Sequence, residues 1–296
     1  MTKPTYRGRF APSPTGELHL GTLLAAVGSY LQARSQHGKW LMRIEDVDTT
    51  RRVEGSSDAL LRALESFGFE WDGAEVYQSQ RTELYEAVLA TLTNKELIYP
   101  CTCSRKQLAD QGEAQVYAGH CRHRQLPLRE EHALRIRVAN QSVGFDDLVM
   151  GLYQQQLASE CGDFVIKRRD GLYAYQLAVV VDDAEQGITE VVRGTDLLDS
   201  TPRQIYLQQQ LSYAQPGYLH LPLLIDEHGH KLGKSTGAAA LDLTHPVQHL
   251  HSSLELLGQQ PPGELARDSL SQLWQWAINH WDIDCIPKQS LVIRQH

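Results

Sequence analysis

Apolar and polar positions along the first hundred residues predict strands and helices in alternation. Residues 6–11 are a short strand candidate that stops at a proline, and residues 40–44 form a mainly apolar run typical of a buried strand. Between them, the proline- and glycine-containing stretch 12–16 predicts a loop, and the largely uncharged run 18–36 predicts a helix. Two more segments carry apolar residues at helical spacing, 56–67 and 80–97. Strand, glycine loop, helix, strand and helix in this order indicate a doubly wound α/β sheet.

The second half of the chain resumes this alternation after an interruption at residues 99–137, which hold three cysteines. Further apolar runs predict three strands and one helix, in the order strand 172–181, strand 188–192, helix 202–211 and strand 219–225. Pro202 would lie in the first turn of that helix, where proline is well tolerated. After a glycine- and lysine-containing loop at 228–235, tryptophans and leucines predict a small helical region at 241–296.

Composition narrows the class of protein. Hydrophobic residues make up 42% of the 296 residues and charged residues 22%, which favours a sizeable core over a disordered chain. There are 28 Lys and Arg against 36 Asp and Glu, and the net charge of −8 argues against a protein that coats nucleic acid through bulk positive charge. A local basic groove is still compatible with this balance. Basic residues are concentrated at 122–137 and 167–169, where they could contact phosphate groups.

Two features bear on the cellular compartment. The sequence contains no uncharged apolar run of membrane-spanning length and no signal peptide at its N-terminus. Its five cysteines are an odd number, which does not fit a disulfide framework. We therefore expect a cytoplasmic protein without a membrane partner.

Two loops carry residues suited to binding a polyphosphate. The stretch 12–22 would place backbone N–H groups at a helix start, with His19 as a donor and Gly21 allowing close backbone approach. Lys231 and Lys234 add two positive charges in a glycine-containing loop, which suits a phosphate group whose charge shifts during a reaction. The alternatives are an ordinary strand-to-helix turn capped by a histidine and a solvated surface loop.

The cysteine cluster predicts a metal site. Cys101, Cys103 and Cys121 offer three thiolates, and the chemistry of Zn²⁺ favours His120 or His123 as the fourth ligand. A structural rather than a catalytic Zn²⁺ is the expectation. The alternative is a set of free cysteines in a reducing compartment.

Long motifs in the chain resemble the class I glutamyl-tRNA synthetases. Residues 9–21, RFAPSPTGELHLG, resemble the 'HIGH' region of that family, and residues 231–235, KLGKS, resemble its 'KMSKS' loop. Stretches between these two motifs match the family in the same order, at 41–51, 163–166, 191–196 and 201–203. Two positions depart from the family's pattern, Thr22 at the end of the first motif and Gly233 in the second. The similarity covers roughly residues 5–240.

The resemblance implies a role for particular residues. Activation of an amino acid by ATP needs no protein nucleophile, so His19 and Lys234 would assist catalysis by stabilising charge. The implied glutamate pocket consists of Arg9, Ala11, Ser13, Glu45, Tyr175 and Arg193, with Glu45 pairing with the substrate ammonium. The implied ATP site consists of His19, Gly21, Lys231 and Lys234, with Mg²⁺ accompanying the nucleotide. The family's pattern also places a tyrosine four residues before the last cysteine. This makes Tyr117 the favoured fourth zinc ligand, with His123 second, and the two residues Tyr117 and Cys121 would share a face if the segment is helical.

The implied fold is a Rossmann-type, doubly wound class I synthetase catalytic domain with a zinc-bearing insertion and a small C-terminal helical region. The expected division is a first catalytic half at 1–98, the insertion at 99–160, a second catalytic half at 161–240 and the helical region at 241–296. Complete glutamyl-tRNA synthetases continue into long anticodon-binding domains, for which the 61 residues after Ser235 are too few.

A shortened core of this kind resembles the glutamyl-queuosine tRNA(Asp) synthetases. That family activates L-glutamate with ATP and transfers it to the queuosine base in the anticodon loop of tRNA(Asp). We expect this activity and a monomer. The alternatives are a minimal glutamyl-tRNA synthetase that charges tRNA 3′ ends and a non-catalytic paralogue that binds glutamate or its adenylate.

Overall fold

The protein is described from a computed structural model that covers residues 5–50, 52–113, 116–232 and 240–293. The strands are β1 (Arg7–Phe10), β2 (Lys39–Ile44), β3 (Val76–Tyr77), β4 (Ile98–Cys101), β5 (Ala133–Ile136), β6 (Ser142–Asp147), β7 (Gly151–Gln156), β8 (Val165–Lys167), β9 (Glu190–Gly194), β10 (Gly217–Leu221), β11 (Leu224–Ile225) and β12 (Leu291–Val292). The helices are α1 (Leu20–Ser35), α2 (Ser56–Ser66), α3 (Thr82–Asn94), α4 (Arg105–Asp110), α5 (Leu157–Glu160), α6 (Tyr175–Glu185), α7 (Thr201–Leu211), α8 (Pro246–Leu256) and α9 (Leu270–His280).

Two parallel groups of strands meet beside β1. One group has the order β1-β2-β3, and the other has the order β7-β6-β10-β9, in which only β6 and β7 are antiparallel. The groups are joined where the backbone N–H of Thr189 donates to the carbonyl oxygen of Arg7 at 2.9 Å. The strand order across the junction is therefore β3-β2-β1-β9-β10-β6-β7. This order confirms the predicted doubly wound sheet, and it places the switch point, where ligands bind in such sheets, between β1 and β9.

A smaller antiparallel sheet lies apart from this arrangement in the chain's topology. It has the order β4-β5-β8, and the three clustered cysteines follow from the end of β4. Residues 99–160, the expected insertion, contribute strands to both sheets, because β6 and β7 pair with the main sheet through β10. The proposed division into domains stays a prediction.

The predicted strand at 172–181 is wrong, because this segment forms most of helix α6. Its residues Leu177, Ala178, Val179, Val180 and Val181 are all buried. A helix that is buried all round has no polar stripe, so its apolar run lacks the 3.6-residue period that identifies a helix. Three consecutive valines then favour a strand by propensity, and tertiary packing overrides that preference. The predicted strand at 219–225 is divided into β10 and β11.

The C-terminal helices α8 and α9 belong to the same apolar core as the first half of the sheet. Trp274 of α9 is central to this contact. Its ring lies 4.8 Å from that of Tyr30 and 5.0 Å from that of Phe69, and its Nε1 donates to the carbonyl oxygen of Phe67 at 2.8 Å. The predicted helical region is present, and both of its helices pack against α1 as part of the apolar core. Within the described residues, every helix is too short or too polar to cross a membrane.

We expect Trp274→Ala to lower the free energy of unfolding by about 3–5 kcal/mol, because it removes a buried indole and leaves a cavity. The matched control is Trp276→Ala, which truncates a partly exposed tryptophan on the same helix and should cost clearly less. Urea unfolding of both variants checks this. Equal losses would contradict the assignment of α9 to the core.

Candidate active site and metal centre

A cavity of about 470 Å³ opens at the carboxyl ends of β1, β2, β9 and β10. Its volume is within the range of small-molecule sites, about 300–1,000 Å³. Nine of the ten residues predicted for the glutamate and ATP sites line it: Arg9, Ala11, Ser13, His19, Gly21, Glu45, Tyr175, Arg193 and Lys231. The tenth, Lys234, lies outside the described residues. The sheet topology thus brings together side chains from positions more than 200 residues apart in the sequence.

A buried carboxylate links strands β1 and β2 on one side of this cavity. Asp183 Oδ1 lies 3.1 Å from Arg9 Nε and 2.8 Å from Arg43 Nη1. Arg9 also donates from Nη1 to the carbonyl oxygen of Val192 at 3.1 Å, and Arg43 Nη2 lies 3.4 Å from Glu45 Oε1. Asp183 is carried by α6, so the segment mistaken for a strand supplies this contact. Sequence reasoning missed Arg43 and Asp183 as parts of the site, and the only signal was a pair of aspartates at the end of an apolar run.

The two buried carboxylates of this network differ in their pKa. Burial raises the pKa of Glu45, and the positive charges of Arg43 and Arg9 do not fully offset it. Burial also acts to raise the pKa of Asp183, but the charges and hydrogen bonds of Arg9 and Arg43 outweigh burial. The pKa of Asp183 therefore lies below its usual value. Asp183 is therefore stabilised as an anion by its two arginines, whereas burial and the nearby carboxylates of Asp183 and Asp182 disfavour the anionic form of Glu45 on the cavity wall.

Arg193 presents the opposite situation. Its side chain is buried, and its guanidinium donates to His220 Nε2 at 3.1 Å, to the Tyr175 hydroxyl at 3.2 Å and to Thr201 Oγ1 at 2.8 Å. It has no acidic partner among the described residues. A buried guanidinium without a carboxylate is costly, and an anionic ligand in the cavity would compensate it. Burial raises the pKa of Tyr175, so this hydroxyl stays protonated.

The opposite side of the cavity is formed by the start of α1. His19 is the N-cap residue, and its ring accepts from the backbone N–H of Thr22 and lies 2.9 Å from the Thr22 hydroxyl. Thr22, which departs from the family's motif, thus holds the imidazole in place. A Cβ on Gly21 would lie 3.3 Å from the imidazole, tighter than most such contacts, so glycine leaves the ring its room. The first turn of α1 contains no acidic residue, which leaves its positive dipole end open to an anion.

The described part of the lysine loop returns along β11. Lys231 pairs with Ile225 as an isolated bridge, and the backbone N–H of Leu232 donates to the carbonyl oxygen of Leu224 at 2.7 Å. The Lys231 ammonium forms an ion pair with Asp196, which follows β9. Lys231 is therefore held on the cavity wall by a carboxylate in this structure.

A second cavity, of about 690 Å³, adjoins the first. Ser13, Glu45 and Tyr175 line both cavities. Its other walls come from the turn after β8 and from the segment around α4, and they include Arg105 and Arg169. Neither of these arginines has an acidic partner among the described residues. The two cavities therefore meet at residues predicted to hold the substrate.

The three cysteines of the predicted metal site converge. The Sγ atoms of Cys101, Cys103 and Cys121 all lie within 4.8 Å of one another. The Tyr117 hydroxyl is 3.5 Å from Cys101 Sγ and 3.6 Å from Cys103 Sγ, and it accepts from the backbone N–H of Cys121 at 2.8 Å. Three soft sulfur donors and one oxygen in this arrangement could hold a metal ion.

The histidine alternatives fit this cluster less well. His120 Nε2 instead lies 2.9 Å from the Glu113 carboxylate, and in the described chain neither it nor His123 joins the group of converging ligand atoms. The condition for a helical face shared by Tyr117 and Cys121 is not met, because the segment between them is not a helix. Tyr117 forms a bridge with Gly162, and a turn carries the chain on to Cys121.

The thiols are unequal in their readiness to ionise. Burial raises the pKa of Cys103 to about 11. For Cys121, burial acts in the same direction, but hydrogen bonds from the backbone of Thr102 and from Tyr117 outweigh it and lower the pKa to about 6. Since thiolates are the metal-binding form, Cys121 is prepared as a ligand at neutral pH.

Comparison with known proteins agrees with this geometry. A family described as tRNA synthetases class I (E and Q), catalytic domain, matches residues 5–261. The chain is 53% identical over 284 residues to a glutamyl-Q tRNA(Asp) synthetase of Pseudomonas aeruginosa strain PAO1, covering 96% of each chain. It is 51% identical over 299 residues to one of Dechloromonas aromatica strain RCB, covering 99% of each. A crystal structure of glutamate-tRNA synthetase from Elizabethkingia anophelis superimposes with a TM-score of 0.82 at 25% identity, covering 98% of this chain and 68% of that one.

The fold and the matched domain define a class I aminoacyl-tRNA synthetase, a ligase of the glutamate–tRNA type. Within this class, the sequence is about half identical, over nearly its whole length, to glutamyl-Q tRNA(Asp) synthetases. The chain belongs to the family of glutamyl-Q tRNA(Asp) synthetases.

The Asp183 network generates a stability prediction. Asp183→Asn removes the charge shared by two buried guanidinium groups and should lower the free energy of unfolding at pH 7 by about 3–5 kcal/mol. Asp170→Asn, which breaks a half-exposed pair with Arg168, should cost at most about 1 kcal/mol. Urea unfolding measures both.

The same network predicts a pH dependence. The pKa of Asp183 is lower in the folded chain than its ordinary value of 3.8. The ionised carboxylate therefore contributes fully to the free energy of unfolding above pH 3.8, and this contribution is lost as the pH falls through the pKa of the folded state. The difference in stability between the wild type and Asp183→Asn should therefore shrink as the pH falls below about 4. A constant difference, or none at pH 7, would contradict the role given to Asp183.

Proposed function

We propose that the chain activates L-glutamate with ATP and transfers the glutamyl group to the queuosine base of tRNA(Asp). The observation that carries this proposal is the charge pattern of the first cavity. One wall holds Arg193, a buried cation without an acidic partner among the described residues, and another holds Glu45, whose pKa is raised by burial. This charge pattern suits a ligand that brings both an anion and a cation.

Glutamate is such a ligand. Its ammonium beside Glu45 would add positive charge next to this carboxylate, and a carboxylate beside Arg193 and Tyr175 would compensate the guanidinium. Arg9 is already paired with Asp183, and it keeps an N–H edge on the cavity wall for the second carboxylate. Ala11 and Ser13 complete the wall, and the small alanine leaves room for the ligand.

The activation step is a displacement at phosphorus. The α-carboxylate oxygen of glutamate attacks the α-phosphorus of ATP, the bond to the bridging oxygen breaks, and pyrophosphate leaves. His19, Gly21 and the start of α1 would contact the phosphates on one side, while Lys231 and Lys234 would neutralise the charge that develops on the leaving group. Exchange of Lys231 from Asp196 to a phosphate would be part of this step. Mg²⁺ bound by the ATP phosphates would add further positive charge there.

The second cavity is the proposed entrance for the acceptor nucleoside. It meets the first at Ser13, Glu45 and Tyr175, so a hydroxyl of the acceptor could reach the carbonyl carbon of glutamyl-adenylate and release AMP. Arg105 and Arg169 on its wall offer positive charge to RNA phosphates. Several arginines of the basic stretch 122–137 serve the fold instead, as Arg122 does by pairing with Asp163. The relatives named for tRNA(Asp) support this choice of acceptor.

Glutamate transfer to tRNA(Asp) with and without queuosine tests the proposal most sharply. We expect glutamate-dependent exchange of pyrophosphate into ATP without any tRNA, and labelling only of tRNA(Asp) that contains queuosine. Trimming the 3′ CCA end should leave the labelling unchanged. Equal labelling of both tRNAs, or its loss on trimming, would favour a minimal glutamyl-tRNA synthetase. No exchange under any condition would favour a non-catalytic paralogue.

The matched variants for this assay are two lysine substitutions. Lys234→Ala should abolish pyrophosphate exchange, and Lys288→Ala, which alters an exposed lysine outside the cavity wall, should leave exchange unchanged.

We further propose that the cysteine cluster holds a structural Zn²⁺, with Tyr117 as the fourth ligand. The donor set fits, because Zn²⁺ prefers four ligands with thiolates among them, and no open position is needed for catalysis. The ion would tie the end of β4 to the turn at residues 120–124. Arg135 would support this arrangement, since its guanidinium lies 3.8 Å above the Tyr117 ring and its Nε is 3.4 Å from Cys101 Sγ.

Metal analysis of purified variants tests the zinc site. The wild type should contain one equivalent of zinc, Cys121→Ser should lose it, and Tyr117→Phe should release it to a chelator more readily. Cys161→Ser is the matched control, since this cysteine is buried outside the cluster. Loss of zinc from His120→Ala or His123→Ala would overturn the choice of Tyr117, and a metal-free, folded wild type would overturn the site.

The proposed substrates also bear on location and assembly. ATP, glutamate and tRNA meet in the cytoplasm, so we place the enzyme there. A monomer stays a prediction.

A further inference from the structure

A buried chain of three side chains extends outward from the substrate cavity. Arg193 of β9 and His220 of β10 are direct partners in the register of two parallel strands. Arg193 Nε donates to His220 Nε2 at 3.1 Å, and His220 Nδ1 lies 2.6 Å from Asp147 Oδ2 at the end of β6. The side chains of His220 and Asp147 are completely buried, and neither lines the cavity.

The hydrogen bonds fix the tautomer of His220. An arginine Nε can only donate, so the His220 Nε2 that faces it must accept. The ring proton must then be on Nδ1, from which it is donated to Asp147. Burial and the nearby Arg193 lower the pKa of His220, although Asp147 opposes them, so the imidazole is neutral. Hydrogen bonds outweigh burial in lowering the pKa of Asp147, which is ionised.

Asp147 is itself held rigidly. Its Oδ1 accepts from the backbone N–H groups of Val149 at 3.0 Å, Met150 at 2.8 Å and His220 at 3.2 Å. The carboxylate therefore has a fixed orientation, and its remaining oxygen is directed at the imidazole. The turn after β6 thus orients the Asp147 carboxylate, the carboxylate orients the His220 ring, and the ring orients the Arg193 guanidinium.

The donors of Arg193 are nearly all used by these contacts. Of its five N–H groups, the Nε–H is donated to His220 and one Nη1–H to Tyr175. Nη2 donates to Thr201 Oγ1 at 2.8 Å and to the carbonyl oxygen of Leu197 at 3.4 Å. One N–H on Nη1 is left for a ligand. A single free donor binds a carboxylate well only if the plane of the guanidinium is held in one orientation.

We propose that Asp147 and His220 are positioning residues for substrate glutamate, acting through Arg193. They hold the guanidinium so that its remaining N–H is directed into the cavity, and they keep Arg193 free of an acidic partner by presenting it with a neutral acceptor. This inference rests on the proposed function, in which Arg193 contacts a carboxylate of glutamate.

Asp147→Asn is the sharpest test, because it changes one acceptor to a donor at constant shape. The new amide would keep the backbone contacts through its oxygen and would donate to His220 Nδ1, which moves the ring proton to Nε2. Two donors would then face each other at Arg193. A change of this kind, which reverses the tautomer while preserving geometry, is costly in other histidine–aspartate pairs.

We expect Asp147→Asn to raise the KM for glutamate in pyrophosphate exchange by roughly 5- to 100-fold, the effect of one misdirected buried hydrogen bond. The KM for ATP should stay within about twofold, since the phosphate side of the cavity is untouched. The ¹⁵N chemical shifts of the imidazole should show the exchange of tautomers. A glutamate KM within about twofold of the wild type, together with the exchanged tautomer, would overturn the proposal.

A second pair of variants decides the matter if Asp147→Asn does not fold. His220→Gln retains an oxygen that can accept from Arg193 Nε and should keep the glutamate KM near the wild-type value, whereas His220→Leu should raise it. Equal KM values for the two variants would overturn the proposal.

Arg193→Lys separates the inference from the proposed function. An unchanged glutamate KM in this variant would refute the assignment of Arg193 to the substrate pocket itself. A raised KM in Arg193→Lys, with no effect of Asp147→Asn, would refute only the positioning role.

Discussion

The Asp183 carboxylate between Arg9 and Arg43 is the interaction on which the site depends. It joins β1, β2 and α6 at the switch point of the sheet, where all three side chains are buried. Buried ions are tolerated only when they are paired with good geometry, so this contact restricts how the three elements can pack. The neighbouring Asp182 extends the restriction outward. It accepts from Gln78, Arg81 and Tyr85 and thereby connects α6 to α3 and to the segment before it.

This compensation within the network is what makes the remaining charges informative. Asp183 is paired with both Arg9 and Arg43, and Arg43 also lies 3.4 Å from Glu45. Glu45, whose pKa burial raises, and Arg193, which has no acidic partner among the described residues, are both on the cavity wall. In the proposed function, this charge pattern would make the pocket selective by electrostatics. A ligand with only a carboxylate would bring no positive charge to Glu45. A ligand with only an amine would bring no negative charge to Arg193. In the proposed arrangement the neutral His220 would contribute to the same selectivity, since a carboxylate at its position would satisfy Arg193 without any ligand.

Much of the fold could be predicted from sequence because its signals are local. The glycine- and proline-containing loop between a short strand and an uncharged helix indicated the first half of the sheet, and the spacing of Cys101, Cys103 and Cys121 indicated the cluster that could hold a metal ion. Local sequence signals failed where long-range contacts in the folded chain determine the structure. Helix α6 reads as a strand because it is buried on all sides, and Asp183 meets Arg9 only through the folded topology, across 174 positions. The same holds for the pair of Asp147 and His220, which are 73 positions apart. The choice of Tyr117 as a ligand stays a prediction, and a shared helical face does not explain its position, since Tyr117 forms a bridge with Gly162.

The central claim is that the cavity at the switch point is complementary in charge to glutamate. A crystal structure with a non-reactive analogue of glutamyl-adenylate tests it most directly. We expect the ligand ammonium within hydrogen-bonding distance of the Glu45 carboxylate, a side-chain or main-chain carboxyl oxygen of the glutamyl group on Arg193 Nη1, and the phosphate against His19 and the start of α1. An analogue bound with its ammonium away from Glu45 and with no glutamyl oxygen on Arg193 would contradict the account.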